Sequence, residues 1–336
     1  MTTKPIIAFA YAGEFSYGVS WWYPKIRELA KTEFMGCHII VFDYLGRYGL
    51  CKDFVDEFIP YDSQTESQLG WPMCGVTRNK ANQSHNSGIL DTAALRFVNN
   101  YQTDNNLKFV HIITAMNYNK WSKERHNLSS SAPTRSAHQR GDYINLDARS
   151  HMHSRVIKEL QQNLLPQKQT VAVMARTRKR LECHDLENWN PESWQIFINK
   201  LVDELDVNVV LIGTPPRPQD GYPGALDFPN KNNRIYSMVR NNPDAVEEQI
   251  AVLKNTKCSF YGASGAAFLT FFTNTPVFIL SNKNGCSRLS LEWCKKLTGG
   301  HHNVKIYKLA SEGKEYYNQD PDVVFDAFKT FYEELK

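Results

Sequence analysis

Residues 260–280 read FYGASGAAFLTFFTNTPVFIL. An apolar run at 258–261 leads into a turn of small residues, Gly262-Ala263-Ser264-Gly265. An apolar stretch at 266–272 has helical length, and Asn274-Thr275-Pro276 then turns the chain into a second apolar run at 277–280. Strand, small-residue turn, helix and strand form the unit from which doubly wound sheets are built. The same unit is a natural anion site. Free N–H groups of a first helical turn point outward, and small side chains let a phosphate approach the backbone. Plain helix–strand packing accounts for the same residues, since small side chains also permit tight contact.

Working outward, the rhythm repeats. Asn190 can cap a helix with Pro191 at its first position. Trp194, Phe197, Ile198, Leu201, Val202 and Leu205 then fall on one helical face. Strands are predicted at 170–175 and 207–212, and a helix from Asp244 through Lys254. Asp320-Pro321 opens the last helix, with Val324, Phe328 and Phe331 along one side. This predicts a Rossmann-like domain over 168–319, with a terminal helix at 320–336 able to pack on either half of the chain. The first half looks like a looser example. Strands are predicted at 6–11, 37–42, 54–59 and 109–113, with a helix over 22–31. Residues 61–90 and 116–140 are rich in Ser, Asn, Gln and Gly and read as long connections. Leu164-Leu165-Pro166-Gln167-Lys168-Gln169 reads as a linker, so the first domain is expected over 1–160. The predicted fold is α/β, with two Rossmann-like domains facing each other across a cleft.

The chain has 336 residues, of which 42% are hydrophobic and 22% charged, enough for two cores and too apolar for disorder. Its net charge of +4 suits anionic substrates but does not indicate a nucleic-acid binder. The seven cysteines are scattered and form no CxxC pair, which fits a reducing compartment and argues against a structural zinc or iron–sulfur site. Cys37 and Cys258 read as buried thiols beside or within strands. His151 and His153 would make a ligand pair only on a strand, and His301-His302 reads as a loop, so no metal site is expected. Neither a signal peptide nor a spanning helix is expected. The expected location is cytoplasmic, with peripheral membrane association and oligomeric state left open.

Ligands of open α/β sheets bind beyond the carboxyl ends of the strands. Three such ends are suggestive. Arg176 and Arg178 follow the strand at 170–175, Thr214 follows the one at 207–212, and Gly262-Ala263-Ser264-Gly265 follows the one at 258–261. If these strands are neighbours, a cation, a hydroxyl and a helix start meet at one rim, a fit to a diphosphate. A solvated basic loop is the other reading of Arg176 and Arg178. No GxGxxG or GxxxxGK[ST] is present, which weighs against hydride transfer and ATP hydrolysis. No GxSxG elbow is present, so Ser264 reads as a binder of phosphate or hydroxyl and not as a nucleophile. In the first half, Glu14 follows the first strand in a loop between Gly13 and Gly18. A carboxylate there can take a proton from an attacking hydroxyl, or simply be a solvated loop charge. Tyr17, Trp21 and Trp22 can line an acceptor pocket or pack the first helix. His138, Arg140 and Asp142 form a second polar cluster open to the same two readings.

Gly13-Glu14, Pro24, Arg176, the Gly-x-Ser core of Gly262-Ala263-Ser264 and the Pro276-led strand together resemble the heptosyltransferase-like group of GT-B glycosyltransferases, similar in turn to some fucosyltransferases. Glu14 stands where that group has Asp, Phe260-Tyr261 where it has Asp-Thr, and Gly265 where it has His. The resemblance implies transfer of a sugar from a nucleotide-sugar to a hydroxyl, with Glu14 as base and no bound cofactor or metal. It implies donor contacts from Arg176, Arg178, Thr214, Tyr236, Met238, Gly262, Ala263, Ser264 and Gly265. Acceptor contacts would come from Gly13, Tyr17, Trp21, Trp22, His138, Arg140 and Asp142. A glycan, a lipid-linked saccharide, a protein or a modified base in DNA remains open as acceptor. A sugar-nucleotide epimerase and a non-catalytic glycan- or partner-binding protein are the alternatives.

Overall fold

The computed structural model describes residues 4–13, 15, 18–69, 87–114, 142–177, 189–216, 224–228, 233–262, 264–282, 304–311 and 319–335. The chain parts into two compact units, Met1–Ile144 and Asn145–Lys336.

The first unit carries four parallel strands, β1 (Ile6–Ala10), β2 (His38–Asp43), β3 (Glu57–Pro60) and β4 (Phe109–Thr114). Their order is β3-β2-β1-β4. The chain winds outward from β1 on one side and then crosses to the other, so the order reverses between β1 and β4. Strands covered on both faces need continuous apolar runs, and Ile7–Ala10 and Ile39–Phe42 are all buried. A π-helical turn, Gly18–Trp22, runs into helix α1 (Tyr23–Lys31), which opens with Pro24. Helices α2 (Ser63–Leu69) and α3 (Ser87–Asp104) follow β3.

Two expectations are corrected here. Stretch 61–90 is not one long connection, because α2 and the start of α3 fall within it. Ala94, Phe97, Val98 and Tyr101 form one helical face of α3 against the core of Ala8, Ala10 and Phe42. Strand β3 is shorter and later than 54–59. Residues 51–54 are a turn, and the Asp56 carboxylate accepts the Ile39 N–H just before the ladder begins.

The second unit opens with α4 (Ser150–Asn163). Then come β5 (Thr170–Met174), the short β6 (Arg176–Thr177), α5 (Pro191–Asp203), β7 (Asn208–Gly213), the short β8 (Gly224–Ala225) and β9 (Ile235–Val239). Next are α6 (Ala245–Lys254), β10 (Cys258–Gly262), a 3-10 turn (Gly265–Ala267), α7 (Phe268–Thr273), β11 (Val277–Asn282), β12 (Ile306–Ser311) and α8 (Pro321–Glu333). Six strands form one parallel sheet in the order β12-β11-β10-β5-β7-β9. The Asn190 side chain accepts the Ser193 N–H at 2.6 Å, the cap its position predicts. The core between the sheet and helices α5 and α8 is aromatic. Phe260 lies 4.4 Å from Phe197, 5.1 Å from Phe278 and 5.7 Å from Phe328, ring centre to ring centre. Each fully buried ring contributes about 1.5–3 kcal/mol. Helix α8 therefore packs on the second unit, and Trp189 donates to the Gln319 carbonyl at its threshold.

Helix α4 also belongs to this unit, although the sequence places it before the linker. Glu247 is wholly buried and accepts from the Arg149 backbone N–H at 2.6 Å and from the Arg149 guanidinium at 2.7 Å. His151 and His153 consequently sit on a helix, and His153 meets Asn255. Cys258 is buried as expected, whereas Cys37 is only partly so. Among the described residues, no helix is long and apolar enough to cross a membrane.

Candidate functional site

In the second unit, β5 is the first strand of the sheet. The chain moves from it through β7 to β9, then returns to its other side for β10, β11 and β12. The order therefore reverses between β5 and β10, and a crevice outside the carboxyl ends at such a reversal is where open α/β sheets bind ligands. Arg176 follows β5 by two residues, and Ser264 follows β10 by two. Thr214 directly follows β7, the neighbour of β5. The three predicted strand ends are thus adjacent in one parallel sheet.

Small residues shape this rim. Gly213 has φ +130°, and a Cβ there would press on the Ala225 methyl group. The closeness is used: Ala225 donates to the Thr214 carbonyl at 2.8 Å, and Leu226 donates to the Ala175 carbonyl at 2.7 Å. Arg176 pairs with Ala225 in a two-residue antiparallel ladder, which fixes its backbone beside the strand ends. The Ser264 hydroxyl accepts the Ala266 N–H at 3.2 Å and caps the 3-10 turn. A hydroxyl that accepts still has its own proton to donate. The helix after it is shorter than the sequence suggests, a three-residue turn followed by the six residues of α7. Its dipole is correspondingly small, so an anion here would depend on individual N–H groups and on Arg176.

Two expected donor residues lie elsewhere. Tyr236 pairs with Val210, near the amino end of β9, and its hydroxyl donates to Glu159 at 2.5 Å. Glu159 also takes the Arg240 guanidinium. Burial alone would raise the Glu159 carboxyl, but the bonds from Arg240 and Tyr236 outweigh it and hold the group below its usual range. Met238 is buried at 2% exposure and serves the core. Arg178 and Ala263 lie outside the described residues.

In the first unit, the loop after β1 lies at the reversal between β1 and β4. Glu14, Tyr17, His138 and Arg140 lie outside the described residues, as does the side chain of Trp21. Trp22 has no exposure and stacks on Tyr11 at 5.6 Å, so it packs the core and forms no acceptor wall. Asp142 pairs with Lys31 at 2.5 Å and accepts from Arg27 through its carbonyl, which ties it to α1. A Cβ at Gly13 would overlap the end of the Tyr11 ring, which would have to shift to admit one.

Beneath this rim lies a charged pair that sequence reasoning missed. Asp43, the last residue of β2, is wholly buried. It accepts from Tyr23, from the Tyr44 N–H at 2.6 Å and from Arg47 Nη1 at 3.0 Å. Burial pushes its carboxyl up to about 6 despite the opposing pull of Arg47. The Tyr23 hydroxyl and Cys51 thiol are pushed up by burial and by the Asp43 charge. An acid ending an apolar strand, with Arg four residues on, was the available signal. Among the described residues, no cluster of three or more His, Cys, Asp or Glu is set to hold a metal.

No family model matches the sequence, and no curated protein matches it. Solved structures do match it in fold. A glycosyl transferase family 9 protein from Veillonella parvula aligns over 99% of this chain and 98% of its own, with TM-score 0.55 and 10% identity. The Escherichia coli heptosyltransferase WaaC with ADP-2-deoxy-2-fluoro heptose aligns over 98% of this chain and 99% of its own, with TM-score 0.50 and 12% identity. At such identities the likeness is one of fold. The chain has two parallel α/β sheets and the fold of the GT-B glycosyltransferases.

Proposed function

We propose that this chain is a glycosyltransferase that moves a sugar from a nucleotide-sugar to a hydroxyl. The observation that carries the reading is the strand order of the second unit, which sets Arg176 and Ser264 on either side of the sheet's reversal point. That pairing suits the diphosphate of a donor. The ADP-sugar in the heptosyltransferase structure of similar fold supports a donor of this class.

In this reading the second unit holds the donor and the first supplies the base. As the acceptor oxygen bonds to the anomeric carbon, the bond from that carbon to the diphosphate breaks. Negative charge then grows on the departing phosphate. The Arg176 guanidinium, the Ser264 hydroxyl and backbone N–H groups near Gly262 and Gly265 stabilise it. Glu14 takes the acceptor proton. Because Arg176 compensates the charge, no resident metal is required. Titration calorimetry with ADP, UDP, GDP and CMP tests the donor half. Binding of one diphosphate that weakens on Arg176→Ala supports the reading, and no binding of any rejects it.

A further inference from the structure

Arg47 opens the 3-10 turn after β2 and is only 6% exposed. Its Nη1 donates to Asp43 and also to the Gly13 carbonyl, at 3.3 Å. Its guanidinium carbon lies 4.5 Å from the Tyr44 ring centre, 5.8 Å from that of Tyr11 and 5.5 Å from that of Phe15. Gly13 and Phe15 are the two chain neighbours of Glu14. Both rest on this one guanidinium, Gly13 through a hydrogen bond and Phe15 through its ring face. The anion that holds Arg47 is itself fixed, since Asp43 is also bonded by Tyr23 and by the Tyr44 N–H. Stability alone is a weak reason for such a pair, because desolvation cancels much of its attraction.

We propose that Arg47 is a positioning residue: anchored by Asp43, it clasps the Gly13 carbonyl on one side and the Phe15 ring on the other, and so orders the loop that follows β1. This rests on the glycosyl-transfer reading only for its catalytic consequence. The clasp itself holds the loop whatever the reaction.

The test uses the full chain and two readouts. Arg47→Met keeps length and apolar bulk but removes the donor and the charge. It should speed amide hydrogen exchange in the peptide spanning 11–18 by roughly tenfold or more, with exchange in β7 and α6 unchanged. In a transfer assay kcat should fall roughly 10–100-fold while the donor Kd stays constant. Arg47→Lys keeps the charge without the planar fork and should recover part of both losses. A merely structural loss would lower the amount of folded protein and leave kcat per folded molecule intact. Should Arg47→Met fail to fold, Asp43→Asn weakens the same anchor with little change of shape and is read identically. Unchanged exchange over 11–18 overturns the clasp. Raised exchange with normal kcat overturns its positioning role. If the wild-type chain transfers no sugar from any donor, the glycosyl-transfer reading falls, and the exchange readout still decides the clasp.

Discussion

Both parallel sheets are wound from their first strand outward and then back across it, yet their rims are finished in opposite ways. Under the first rim, bulk and charge fill the space. Arg47 lies among the rings of Tyr11, Phe15 and Tyr44, over a carboxylate with no exposure. At the second rim, side chains are withdrawn. Gly213, Gly262, Ser264 and Gly265 end the strands or begin the next turn, and Arg176 follows the end of the neighbouring β5. A filled rim fixes a loop, whereas a rim of small residues lets a ligand reach backbone N–H groups. On the glycosyl-transfer reading, the same winding would present a group in one unit and receive an anion in the other.

This contrast can be broken most directly at Glu14. Glu14→Gln keeps size and removes the basic carboxylate, and turnover should fall roughly 10²–10⁴-fold with donor affinity unchanged. Normal turnover in a transfer assay would deprive the first rim of its presenting role. The next largest effect is expected from Arg176→Ala. Loss of a charge-assisted contact should weaken diphosphate binding by about 1.5–3 kcal/mol in calorimetry, with unfolding unaffected. Equal affinity in an intact fold would move the anion away from the second rim.

A smaller effect sharpens the contrast through pH. Asp43 has a folded-state pKa raised to about 6 from 3.8. The folded state therefore binds its proton more tightly than the unfolded one, and stability rises as pH falls through 6. Glu159 is lowered, so its contribution is present above the unfolded value and lost as pH falls through the folded one. Between pH 7 and pH 5, denaturant unfolding should shift by about 1 kcal/mol in favour of the wild type relative to Asp43→Asn. A shift of the opposite sign would mean that Arg47 dominates the site over burial. The smallest effect expected is none. Chelation of divalent ions should leave turnover unchanged, and loss of activity restored by one metal would give Arg176 a partner cation.

Much of this contrast was legible in the sequence, and unevenly so. The Asn190 cap and the Trp194–Phe197–Leu201 face depend on neighbours close in the chain, and the structure has them. Strand ends are readable too, so the sequence points to Arg176, Thr214 and Ser264 without showing that they are adjacent. Trp22 and Met238 are buried, and an aromatic or thioether side chain near a strand end looks the same in the sequence whether it faces ligand or core. The sequence conceals Asp43 and Arg47 for a related reason. Four residues apart, they show in the sequence as able to pair, not as buried. Only the rings that close over Arg47 and the Tyr23 hydroxyl, twenty residues away, make the pair a buried one.

The Arg149–Glu247 contact bears on how this chain can be recombined. A chimera that exchanged its second half at residue 165, where proline and a polar run suggest a seam, would part α4 from the carboxylate it neutralises. In the chain that received this second half, Glu247 would sit in the core without Arg149, a loss of about 3–5 kcal/mol. A junction between residues 144 and 145 transfers both partners together, along with the bond from Leu146 to the Phe272 carbonyl and that between Asn145 and Asn274. The natural point for exchanging the second unit therefore lies one whole helix before the place where composition changes.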